Sequence, residues 1–208
     1  MPDNQSVMIS GAVEGPIDEV VLKRLLSYIG AIPGPIHITN GKGKLLNKLN
    51  GYNHAARYNP WVVLIDLDYD KACAPPFIAQ KLPDPGPWLC FRVAVREVEA
   101  WLLADQEHLA TFLSIPKTRI PTAPEALNAP KRTMVDLARH SRRSAIREDM
   151  VPRPESGRKI GPAYNSRLIE FVSDTVNGWR PDVAAQRSES LERCLKCMQA
   201  LAKNWRNR

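Results

Sequence analysis

The sequence predicts an α/β fold: a parallel sheet flanked by helices, followed by a C-terminal helical extension. Residues 61–67, WVVLIDL, are apolar on both faces of an extended chain, as in a central parallel strand covered by helices on either side. Short apolar runs alternate with helix-period segments between residues 6 and 113, the order expected of a parallel sheet with right-handed crossovers. Beyond about residue 115 strand signals stop. The predicted division is therefore a core over residues 1–115 and a helical extension packed on it over residues 116–208.

The elements follow in order. Residues 6–13, SVMISGAV, read as a buried strand that breaks at Glu14, Gly15 and Pro16. In IDEVVLKRLLSYIG, Val20, Val21, Leu25 and Tyr28/Ile29 recur at helical spacing, with Pro16 near the start and Gly30 at the stop. GPIHIT (34–39) is a second strand, and KLLNKLNGYNHAAR (44–57) a helix weakened by Gly51. WVVLIDL runs directly into Asp66, Asp68 and Asp70. The proline-rich stretch 71–87 reads as a loop with a short helix, and WLCFRVAV (88–95) as a fourth strand. REVEAWLLADQEHLATFL (96–113) reads as one helix. Prolines 116, 121, 124 and 130 mark a connector. Basic helices over 131–149, a helix over 163–179 and a last one over about 188–203 complete the chain.

The 208 residues are 44% hydrophobic, enough to bury a core of this size. No apolar run approaches the ~18 residues of a membrane span, and the first ten residues lack a basic segment followed by an apolar one. A cytoplasmic protein without a membrane partner is expected. The four cysteines are too few and too scattered for a disulfide framework. Cys194-x-x-Cys197 would offer only half a zinc site, so buried, reduced thiols are expected. Lysine and arginine number 29 against 22 acids, a net charge of +7. A basic surface with a few clustered acids suits an enzyme of nucleic acids: the positive field draws in phosphate, and the acids recruit metal.

Ligands of open parallel sheets gather beyond the carboxyl ends of the strands. Three of the four expected strand ends deliver carboxylates: Glu14, the pair Asp66 and Asp68, and the pair Glu97 and Glu99. Asp66 and Asp68, two apart on an extended chain, share a side. Adjacent carboxylates repel unless a cation intervenes, and hard oxygen donors suit Mg²⁺ or Mn²⁺. Asp18, one helical turn beyond Glu14, is a further candidate ligand. One of Glu97 and Glu99 is expected to face solvent, and Asp70 to cap the turn. Asn40-Gly41-Lys42-Gly43-Lys44 lacks Walker A spacing and reads as a solvated turn. His37, His54, His108 and His140 show no ligand spacing, and the basic run 131–147 fits a nucleic-acid track and a plain solvated helix face equally well.

The combination VEGPIDE at the first strand end and LIDLDYD at the third resembles the TOPRIM domain of topoisomerases, primases and OLD-family nucleases. That Rossmann-like fold carries a glutamate after its first strand and a DxD after a later one. Glu14 matches the former, and Asp66-Leu67-Asp68 the latter; Asp18 matches the second acid of the OLD-type ExxxE, and Glu97-Val98-Glu99 lies where those enzymes place a further acidic motif. This likeness covers roughly the first half. Over most of the chain, REVEAWLLAD and GPAYNSRLIEFV…W…SLERCL resemble the TOPRIM-like bacterial family DUF4276. The resemblance implies a Mg²⁺- or Mn²⁺-dependent nuclease acting on DNA or RNA. Asp66 and Asp68 would be ligands, Glu14 a ligand or general base, and Lys42, Arg96 and Lys159 would steady the phosphate. By analogy with OLD-family proteins it also implies an ABC-type ATPase partner and a role in phage defence.

Two other readings compete. A haloacid-dehalogenase-like phosphatase would use Asp66 as nucleophile and Asp68 as acid/base. That family expects Thr or Val where Asp70 stands and the motif on the first strand, and both expectations fail here. A non-catalytic subunit that binds nucleic acid or an ATPase is the third reading.

Overall fold

The structure is a computed structural model and describes residues 6–67 and 74–208. Four strands, β1 (Met8–Val13), β2 (Ile32–Ile38), β3 (Trp61–Asp66) and β4 (Leu89–Ala94), form one parallel sheet in the order β2-β1-β3-β4. The helices α1 (Pro16–Tyr28), α2 (Lys42–Ala55) and α3 (Ala74–Lys81) are the crossovers between successive strands. From β1 the chain steps to one side for β2, then back across to β3 and on to β4. With right-handed crossovers, that reversal puts α1 on one face and α2 and α3 on the other. It also makes the gap between the carboxyl ends of β1 and β3 the topological switch point.

The centre of the sheet explains itself from sequence. Val62, Val63, Leu64 and Ile65 of β3 are all buried, because helices cover both faces. Gly11 of β1 leaves room for α1: a Cβ there would sit 2.6 Å from Leu22 Cδ2. Gly11, Val62 and Cys90 lie in register across β1, β3 and β4, so they share the α1 face. Pro33 and Pro35 are tolerated in β2 because it is an edge strand.

The chain forms two compact units, residues 1–94 with 192–208, and residues 95–191. This differs from the expected boundary at residue 115 in two ways. The final helix α10 (Glu189–Arg206) belongs from residue 192 onward to the sheet-bearing unit, where Trp205 packs edge-on against Trp88 with ring centroids 5.0 Å apart. On the same face Cys197 is disulfide-bonded to Cys90, with Cα atoms 6.1 Å apart, which corrects the expectation of reduced thiols throughout. Cys194 is buried and free, and burial pushes its thiol up to about 12, so it stays protonated.

The other difference is that residues 95–115 pack within the second unit. The helix expected over 96–113 is two, α4 (Val98–Ala104) and α5 (Gln106–Leu113), interrupted at Asp105. Every residue of α4 is buried; it packs against α6 (Pro130–Arg139) and α9 (Pro181–Ala185). Trp101 and Trp179 are fully enclosed, and the Trp179 indole donates to Trp101 O at 3.0 Å. The helices α7 (Ser144–Met150) and α8 (Tyr164–Ser173) complete this unit; α8 ends six residues before the expected end at 179. No helix among the described residues is long and apolar enough to cross a membrane.

Candidate functional site

The carboxyl ends of β1 and β3 carry the candidate site. Glu14 immediately follows β1, and its Oε1 accepts the backbone N–H of Asp66, the last residue of β3, at 2.9 Å. The glutamate is thus turned across the switch point onto the backbone of Asp66, and two acidic residues 52 positions apart stand at one edge of the sheet. Asp68 and Asp70 lie outside the described residues.

Two features hold Glu14 there. Asp18 Oδ2 accepts the Gly15 N–H at 2.7 Å, closing the turn between Glu14 and α1. Asp18 is 8% exposed, so this predicted ligand acts in the structure as the cap of the turn. From the other side, Gly41 N–H donates to Glu14 O at 3.2 Å, and Thr39 N–H donates to Val13 O at 3.0 Å. Asn40 and Gly41 have φ of 55° and 122°, which turns the chain sharply from β2 into α2. The segment expected to be a solvated turn is therefore built into the strand-end edge.

Lys42, the first residue of α2, joins this edge. Its Nζ donates to Leu67 O at 2.9 Å and lies 5.5 Å from the Phe77 ring centroid. A lysine ammonium held at a strand end, on the first turn of a helix, suits contact with a phosphate.

Carboxylate oxygens are hard donors of the kind that magnesium- and manganese-class ions take. Among the described residues no group of three or more His, Cys, Asp and Glu side chains gathers.

Glu97 and Glu99 belong to the second unit. Glu97 Oε2 accepts the Lys131 backbone N–H at 2.9 Å, so it caps the N-terminus of α6 from another element. Glu99 is 1% exposed; its Oε1 accepts from the Tyr164 hydroxyl at 3.3 Å and lies 3.4 Å from Lys131 Nζ. Its Oε2 has no hydrogen-bond partner among the described residues. The expectation that one of this pair faces solvent is corrected: Glu97 is half-buried and Glu99 is enclosed. The reason is Lys131 and Tyr164, which no local spacing ties to Glu99.

Burial raises the Glu99 carboxyl above its ordinary value of 4.5, with Lys131 opposing. A carboxyl raised in the folded state stabilises the fold fully below the ordinary glutamate range, and that contribution is lost as pH rises through the raised value. Glu99→Gln, neutral throughout, should therefore gain on the wild type over the range from the ordinary glutamate value of 4.5 upward. Melting temperatures measured across that range should show the difference widening with pH; a constant difference would contradict a raised carboxyl.

Arg96 is half-buried just before α4, and Lys159 is exposed in the loop between α7 and α8; both lie in the second unit. Part of the basic run 131–147 faces a shallow cleft of about 450 Å³ whose walls include Arg139, Arg147, Arg153, Pro152 and Pro154.

Compared with protein-family models, curated proteins and solved structures, the chain matches none.

Proposed function

We propose that the chain is a TOPRIM-like, divalent-metal-dependent phosphodiester hydrolase of nucleic acids. The observation that carries this reading is the turn of Glu14 onto Asp66 at the switch point of the sheet. Glu14 and Asp66, with Asp68 two residues on, would hold the cation. Bound there, a divalent ion supplies Lewis-acid stabilisation of the charge that builds on the phosphate oxygens.

The chain's own residues do the rest. Lys42 orients a non-bridging phosphate oxygen, since its ammonium is already fixed beside the end of β3. A carboxylate at this edge takes the proton of the attacking water as its oxygen bonds to phosphorus. The phosphorus–oxygen bond to the leaving nucleotide breaks, and that oxygen takes up a proton from solvent. The net positive charge of +7 gathers the polyanion toward the edge.

The test is incubation of purified protein with end-labelled single-stranded DNA, duplex DNA and RNA. Cleavage is expected with Mg²⁺ or Mn²⁺ and none with a chelator, and no phosphate should be trapped on Asp66. A phosphorylated Asp66 would instead establish the dehalogenase-like phosphatase. Undiminished cleavage in chelator would remove the proposal.

A further inference from the structure

Beneath the candidate site, the α2 face of the sheet carries three aromatic rings in mutual contact. His37 of β2 and Trp61 of β3 stack with centroids 5.7 Å apart and planes 13° from parallel. Tyr52 of α2 lies 5.4 Å from Trp61 and 6.1 Å from His37. They meet because His37 pairs with Ala12 and Trp61 with Ser10, small residues of β1 that leave the rings room to touch across it. His37 is exposed and the other two rings are half-buried, so the cluster has an open side. A core packing role needs no histidine and no open side.

On α2 the residues one and two turns before Tyr52 are Lys48 and Lys44, both exposed. The spacing i, i+4, i+8 puts the two lysines and Tyr52 in one stripe about 12 Å long. That stripe begins next to Lys42, at the candidate site. Ser10 and Ala12 lie four and two residues before Glu14, so the rings sit roughly 7–13 Å from the strand end.

We propose that this stripe of Lys44 and Lys48, leading to the His37–Tyr52–Trp61 cluster, is a binding track for single-stranded nucleic acid. The two ammonium groups take successive phosphates, and an unpaired base lies against the rings. A duplex keeps its bases stacked on each other and cannot offer one. The proposal rests on the hydrolase reading and adds that the strand presented to Glu14 and Asp66 is unpaired.

Binding is measured by fluorescence anisotropy in chelator, so no cleavage is involved. The probes are labelled dT and rU oligonucleotides of about twelve nucleotides and a duplex of the same length. The wild type should bind either single strand more tightly than the duplex. Lys44→Gln/Lys48→Gln, confined to exposed positions, should flatten the slope of log affinity against log salt by about 1.4, two phosphate contacts' worth. Tyr52→Leu, which keeps an apolar contact with Trp61, should weaken single-strand binding about ten-fold and leave the salt slope unchanged. Wild-type affinity and slope in the lysine variant, or a preference for duplex, would overturn the track. If cleavage occurs but these variants bind as wild type does, the track alone fails. If the track behaves as stated and no divalent ion supports cleavage, the hydrolase reading alone fails.

Discussion

Glu14→Gln is expected to lower divalent-dependent cleavage by more than about a hundred-fold while leaving the melting temperature close to that of the wild type. Even partners one shell out from a metal typically cost roughly ten- to a hundred-fold in affinity or activity, and the proposed site puts Glu14 in the shell itself. The stability half of the expectation comes from its hydrogen bond. Glu14 Oε1 accepts the Asp66 N–H at 2.9 Å, and a glutamine carbonyl can accept it too. Charge is lost and the bond is kept. Glu14→Ala removes both, leaving a half-buried N–H at the end of β3 without its acceptor, at a cost of about 1–3 kcal/mol. The pair separates chemistry from folding: both variants should be inactive, and only the alanine variant should unfold at lower urea. An active glutamine variant would remove Glu14 from the reaction.

The largest loss of stability is expected from Asp105→Ala. Asp105 is fully buried and is the junction between α4 and α5. Its Oδ1 accepts from Arg180 Nη2 at 2.7 Å, and its Oδ2 from Arg180 Nε and from the Arg180 backbone N–H, each at 3.0 Å. Oδ1 also caps α5 through the His108 N–H. Alanine removes a buried anion that satisfies four donors and leaves a guanidinium only 30% exposed. Breaking such a pair costs about 3–5 kcal/mol. Urea denaturation followed by tryptophan fluorescence should report that loss, since Trp101 and Trp179 are both fully buried in the same unit. The double variant Asp105→Ala/Arg180→Ala should cost less than the sum of the two single ones, because losing Arg180 leaves Asp105 buried without its cation and losing Asp105 leaves Arg180 only Glu107, at 3.2 Å. Additive losses would mean that the two residues contribute separately.

The sheet was legible in the sequence wherever burial dictates residue type. The apolar runs of β1, β3 and β4 announce themselves because both their faces meet helices. β2 begins at Ile32, two residues before the expected Gly34, and takes in Pro33, which its edge position makes harmless. The position of Glu14 and Asp66 at strand ends was legible because an apolar run and the acid that closes it are both local signals. The interruption at Asp105 was not, because its cause is Arg180, 75 positions away. Glu99 is the same case: the hydroxyl it meets is 65 positions distant, and helix periodicity says nothing of such a partner. The ring cluster needed three elements brought together before its histidine meant anything. The place of α10 was hidden because amphipathic helices look alike whichever surface they cover.

The discontinuous make-up of the sheet-bearing unit bears on how the polypeptide is made. A ribosome delivers the strands first, then all of residues 95–191, and only afterwards the segment 192–208 that bonds to Cys90 and covers Trp88. Until then the nascent sheet exposes part of an oily surface, while the intervening unit can mature ahead of it. Chains halted before residue 192 would be the natural clients of chaperones, whatever the finished protein does.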